Sequence, residues 1–197
     1  MRRLLSLAIV LAAVASTACA GTIKNMRELP DDAVVPMPSA NEALVVFMRP
    51  SGMAFGVQSS VFEVTGQTPE LVGILAAKAK VVHAVPPGKH LFMVVGESGD
   101  FMSADLAAGK TYYALVEPQV GNWKARFSLA PVTREMIGTE DFEDWFDDCR
   151  LVERSPASKT WALENATSIR AKYAKYHPQW MELPEAERPS LTAEDGI

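Results

Sequence analysis

The chain has 197 residues, with 24 acidic against 19 basic side chains and a formal net charge of −5. That acidic balance excludes nucleic acid and argues against electrostatic docking on anionic lipid. Its two cysteines, Cys19 and Cys149, are too few for a disulfide framework.

Arg2 and Arg3 open the chain, an apolar run covers Leu4 to Val14, and the small residues "ASTACA" follow. This is the charged, apolar and cleavage-site order of a secretory signal peptide. The run is shorter than the about 20 residues a membrane-spanning helix needs. Two processing routes fit. Cleavage before Cys19 with acylation of its thiol makes a lipoprotein; Thr17 and Ala18 suit it, and Ser16 stands where Leu is usual. Cleavage after Ala18-Cys19-Ala20 satisfies the A-x-A pattern and discards the cysteine. The first route is preferred, with residues 1–18 as signal peptide and Cys19 carrying palmitate-type acyl chains. Several chains anchor a protein stably where one binds marginally. Either route leaves Cys149 as the only thiol. Losing residues 1–18 removes Arg2 and Arg3 and no acid, which takes the net charge from −5 to −7.

Residues 19–41 contain several prolines and no periodicity, which predicts an extended tether. From 42 to 133, short runs rich in Val, Phe and Tyr alternate with Gly and Pro: "ALVVFMR", "GVQSSVFEV", "ELVGIL", "KVVHAV", "HLFMVV", "DFMSADL", "TYYALVE" and "WKARFSL". In the last, Trp123, Ala125, Phe127 and Leu129 share one face, and Lys124, Arg126 and Ser128 the other. The prediction is a mainly β protein, an antiparallel β-sandwich-like domain.

Residues 134–181 predict a helical extension. Phe142, Trp145, Phe146 and Cys149 fall at i, i+3, i+4 and i+7 behind Thr139 as N-cap. Ser155 and Pro156 fit N-cap and N1 of a second helix, with Ala162, Ala166, Ile169, Tyr173 and Tyr176 as its stripe and Pro178 ending it. The tail, 182–197, reads as flexible unless Trp180 and Leu183 pin it.

The strand "ALVVFMR" ending in Arg49, "VPPGKH" at 85–90 and "LAAGKTYYAL" at 106–115 resemble an uncharacterised family of bacterial envelope lipoproteins. The resemblance covers about residues 42–133. It implies a lipoprotein signal followed by a compact β domain with P-G-x-H and A-G-K-x-Y-Y turns. Together with Ala20 after Cys19, it implies an outer-membrane location facing the periplasm. The family has no established activity, so no catalytic residue carries over. In physical terms, Gly88 and Gly109 suit turns that require positive φ, and Tyr112 and Tyr113 point to opposite faces.

No catalytic set emerges. His83 and His90 would share a sheet face if Pro87-Gly88 centred a two-residue hairpin, but no nearby Cys, Asp or Glu completes a metal site. The acids in "EDFEDWFDD" suit a wet helix face better than a calcium loop. Ser98 in "GESGD" misses the G-x-S-x-G elbow at Asp100 and lacks its strand-to-helix setting. Cys149 completes an apolar helix face. Arg49, Tyr113 and Trp123 are the candidate binding surface, while Trp161 and Trp180 read as helix-packing residues. The expectation is an exported, lipid-anchored envelope protein with an accessory or binding role. It has no enzyme activity, cofactor or metal, and its partners are the membrane, through Cys19, and an envelope protein. The alternative is a soluble periplasmic binder of a small ligand or glycan.

Overall fold

The computed structural model describes residues 21–65, 68–119 and 125–197. It is mainly β, with two sheets and a long C-terminal helix. The first sheet has the order β1-β10-β5-β2-β8-β9. Its strands are β1 (Met26–Glu28), β2 (Ala43–Arg49), β5 (Ala79–Val85), β8 (Thr111–Gln119), β9 (Arg126–Val132) and β10 (Arg150–Arg154). The second has the order β11-β7-β6-β3-β4, from β3 (Ser59–Glu63), β4 (Glu70–Leu75), β6 (Gly88–Val95), β7 (Gly99–Leu106) and β11 (Ser190–Leu191). Most pairings are antiparallel, but β2–β8, β10–β5 and β11–β7 are parallel. Gly88 and Gly109 take φ of +126° and +73°, the left-handed conformations their turns need.

The inner faces meet through contacts such as Phe47 on Phe92, whose ring centroids lie 5.1 Å apart. Ala43, Val45, Phe47, Val61, Val81 and Val94 fill the space between the sheets. Along β9 the residues alternate as the pattern requires: Phe127 and Leu129 are buried and Arg126 is exposed. Pro131 is tolerated because β9 is an edge strand. Outside the first sheet, helix α1 (Glu140–Asp147) sets Phe142 edge-on to Tyr113 at 4.9 Å. Outside the second, helix α2 (Pro156–Met181) lays Tyr173, His177 and Trp180 on Phe101. The layers therefore run α2, second sheet, first sheet, α1.

The structure corrects four sequence expectations. Residues 21–41 are not a free tether. Gly21 donates to Ala77 O at 3.1 Å, and Met26–Glu28 pair with β10. The 182–197 tail is not loose. Leu191 is buried beside β7, and Ile197 exchanges two backbone bonds with Thr111. Helix α2 runs through Pro178 to Met181, because Trp180 is held against Phe101 and the lost donor falls in the final turn. Finally, Val85 and His90 do not pair across a hairpin. The chain crosses between sheets at Pro86-Pro87, leaving β5 in one and β6 in the other.

Candidate functional site

The crossing at Pro86-Pro87 creates a side-chain set that local spacing does not show. His83 projects inward from β5, beside Val81 and Val85, and His90 inward from β6, beside Phe92 and Val94. Glu63 projects inward from the end of β3. The Glu63 carboxylate sits between the two rings, with Oε2 at 2.9 Å from His83 Nε2 and Oε1 at 2.7 Å from His90 Nδ1. His90 Nε2 reaches Pro86 O at 2.8 Å. Both imidazoles are buried and approach Phe92, His90 in a stacked arrangement at 6.1 Å. Both partners of His90 are acceptors, so its full set of bonds exists only when both ring nitrogens carry protons. The bond from His83, with help from His90 and against the effect of burial, holds Glu63 down at about 2.

Glu63 is the acid that the sequence reading did not find near the histidines. Its only signal was the alternation that turns Ser59, Val61 and Glu63 to one face of β3. Among the described residues, no group of three or more His, Cys, Asp or Glu is arranged to hold a metal ion. The carboxylate occupies the space between the rings as an acceptor. What the arrangement does is tie one sheet to the other with charge-assisted bonds.

Arg49 is not on a binding surface: it is fully buried, with 0% exposure. It ends β2 on the inner face and donates to Leu75 O at 3.1 Å and to three carbonyls of the following loop. These are Val57 at 2.7 Å, Met53 at 3.1 Å and Ala54 at 3.0 Å. Its guanidinium lies 4.6 Å from the centre of the Phe127 ring. Burial lowers its pKa to about 10, so it remains a cation at neutral pH. The fork makes it a clamp for the loop between β2 and β3.

Tyr113 faces the opposite side of the same sheet and is buried under Phe142, not available at the surface. Desolvation raises its hydroxyl's pKa. Arg49 and Tyr113 thus share no surface. Trp123 and Cys19, together with the expected signal peptide, residues 1–18, lie outside the described residues.

Cys149 is buried behind α1 with Phe142, and burial pushes its thiol up to about 12, which removes it as a nucleophile at neutral pH. Ser98 sits in the short turn between β6 and β7, and Asp100 accepts from the Leu129 amide at 3.1 Å. The acids of α1 project into solvent, and Asp148 pairs with Lys78.

The end of α2, the 182–193 segment and strands β6 and β7 enclose a cleft of about 550 Å³. His177, Trp180, Arg188, Lys89 and Asp105 line it. His177 stacks on Tyr173 at 4.9 Å, and burial lowers its pKa. Trp180 is buried, and its indole Nε1 has no hydrogen-bond partner among the described residues. No family model matches the chain, and no curated protein matches it.

Proposed function

We propose that the chain is an exported protein of the bacterial envelope, anchored through acyl chains on Cys19, with a non-enzymatic accessory or binding role at the membrane. The observation that carries this reading is the leader: Arg2-Arg3, an apolar run and a small-residue stretch closing on Cys19. The resemblance of the Arg49, Pro87-Gly88-Lys89-His90 and Gly109-Lys110 stretches to envelope lipoproteins supports the same reading, including the outer membrane. The buried, unreactive Cys149 fits an exported chain that carries no disulfide.

The test is intact mass and fractionation. The mature chain should begin at Cys19, carry acyl mass and sediment with membranes, and a Cys19→Ala chain should lose both. An unmodified soluble chain beginning at Gly21 would overturn the anchor.

A second reading, a soluble periplasmic binder of a small ligand or glycan, is favoured by the cleft. Flat sugar faces stack on aromatic rings, and the cleft brings His177, Trp180 and Arg188 together beside Lys89 and Asp105. On this reading, the N-acetylglucosamine disaccharide shifts the Trp180 indole resonance, and Trp180→Phe abolishes binding. An unmoved resonance at saturating sugar would reject that ligand class.

A further inference from the structure

The described fold begins two residues after Cys19, at a glycine with no room for a side chain. A Cβ on Gly21 would lie 2.8 Å from Ala77 N and 3.0 Å from Phe55 O. Its carbonyl accepts from Arg150 Nη2 at 2.8 Å, and the next carbonyl, of Thr22, accepts from Gln58 Nε2 at 3.3 Å. Two residues of chain span at most about 7 Å. A lipid on Cys19 is therefore attached almost directly to this end of the sandwich, with no slack for the domain to stand away from the bilayer.

What lies at that end is the loop between β2 and β3. Pro50 to Gln58 read "PSGMAFGVQ", without a charged residue. Met53, Phe55 and Val57 are 52%, 57% and 41% exposed, which sets three exposed large apolar side chains within one stretch of five residues. The loop is not slack. Arg49 holds it from behind through Met53 O, Ala54 O and Val57 O, and Ala54 is kept at a φ of +54°. Such residues cost free energy in water, and a clamp that fixes them outward spares the ordering cost when they meet an apolar phase.

We infer that the Met53–Val57 loop is a membrane-docking element, whose Met53, Phe55 and Val57 side chains enter the bilayer interface beside acylated Cys19. The inference rests on the lipid anchor proposed above. The occupant is lipid because the anchor places lipid within two residues of Gly21, whose neighbour is Phe55. An uncharged loop on an acidic protein docks by apolar contact, not by attraction to anionic headgroups. The sandwich then stands end-on, with the Gly109 turn and Ile197 at the opposite end of β2, away from the membrane.

A label on the loop tests this. Met53→Cys in the full chain offers one reactive thiol, since Cys149 is buried, and leaves Phe55 and Val57 in place. Ala108→Cys, in the exposed turn before Gly109, is the distal control. Each chain is purified from membranes, labelled with an environment-sensitive fluorophore and reconstituted in phosphatidylcholine vesicles. The position-53 label should shift to the blue and be quenched by nitroxide lipids, and the position-108 label should do neither. Water-like emission at both positions overturns the proposal. A blue shift at 53 without lipid quenching also overturns it, in favour of contact between copies. Intact mass of the same samples reports the anchor separately. If Cys19 carries no lipid, the anchor reading fails, and the loop is judged on whether the unmodified chain floats with vesicles and is quenched at 53. Failure to float overturns it.

Discussion

Replacing Arg49 by Lys will lower the protein's stability by about 3 kcal/mol and release the loop it clamps. The guanidinium serves four carbonyls at 2.7–3.1 Å, three on the loop and one, Leu75, on β4. Lys keeps the charge but has a single nitrogen on a flexible stem, so it cannot span acceptors spread over a planar fork. Leu75 O, the buried acceptor, loses its 3.1 Å bond from the guanidinium, whereas the loop carbonyls can turn to water. A buried acceptor without a good partner costs about 1–3 kcal/mol, and loss of the contact with Phe127 adds to that. Arg49→Met separates charge from packing, because it also removes the cost of burying a cation. It should be destabilised less than its four lost bonds suggest and should free the loop equally. Chemical denaturation gives the stability. Amide exchange gives the loop: residues 53–57 should exchange faster in both variants while α2 keeps its protection. Unchanged exchange at 53–57 would show that Arg49 is not the clamp.

The same residue shows where sequence reading stops. The bounds of β2, Ala43–Arg49, and of β4, Glu70–Leu75, follow from their apolar runs. The caps of α1 and α2 at Thr139 and Ser155 follow from their residue types. Arg49 was legible as the end of a strand. Its acceptors were not, because they are backbone carbonyls and have no sequence signature. β1, β10 and β11 are short and polar in part, and exist because a partner distant in sequence is there to pair with them. Arg150 meets Ala79, Met26 meets Arg154, and Ser190 meets Ser103. The histidine site was half visible. His83 and His90 were singled out by type, but Glu63 joins them only because the chain changes sheets at Pro86-Pro87, and no local pattern announces that crossing. The tether expectation failed for a related reason. Gly21–Glu28 lacks periodicity, yet it is ordered by Ala77, Arg150 and β10.

Glu63 gives the other large effect, and its pH dependence sets it apart from ordinary packing. Glu63→Ala leaves His83 and His90 buried without their shared acceptor, and should cost about 1–3 kcal/mol, as removing one partner of a buried hydrogen bond does. Glu63→Gln should cost far less. Its amide oxygen can accept from His83 Nε2–H, and its NH2 can donate to His90 Nδ1, while His90 Nε2–H still reaches Pro86 O. The amide thus satisfies both rings without a charge. In the native chain the carboxylate is held at about 2 against an ordinary 4.5. A depressed acid stabilises the fold fully above 4.5, and that contribution is lost as the pH falls through about 2. The Gln variant has no such group. Its deficit relative to the native chain should therefore shrink as the pH drops from 5 toward 2, in denaturation midpoints measured at constant ionic strength. A parallel pH profile for the two chains would mean that the carboxylate's charge does not join the sheets. A Glu63→Ala chain as stable as the native one would remove the site from any account of how the two sheets are held together.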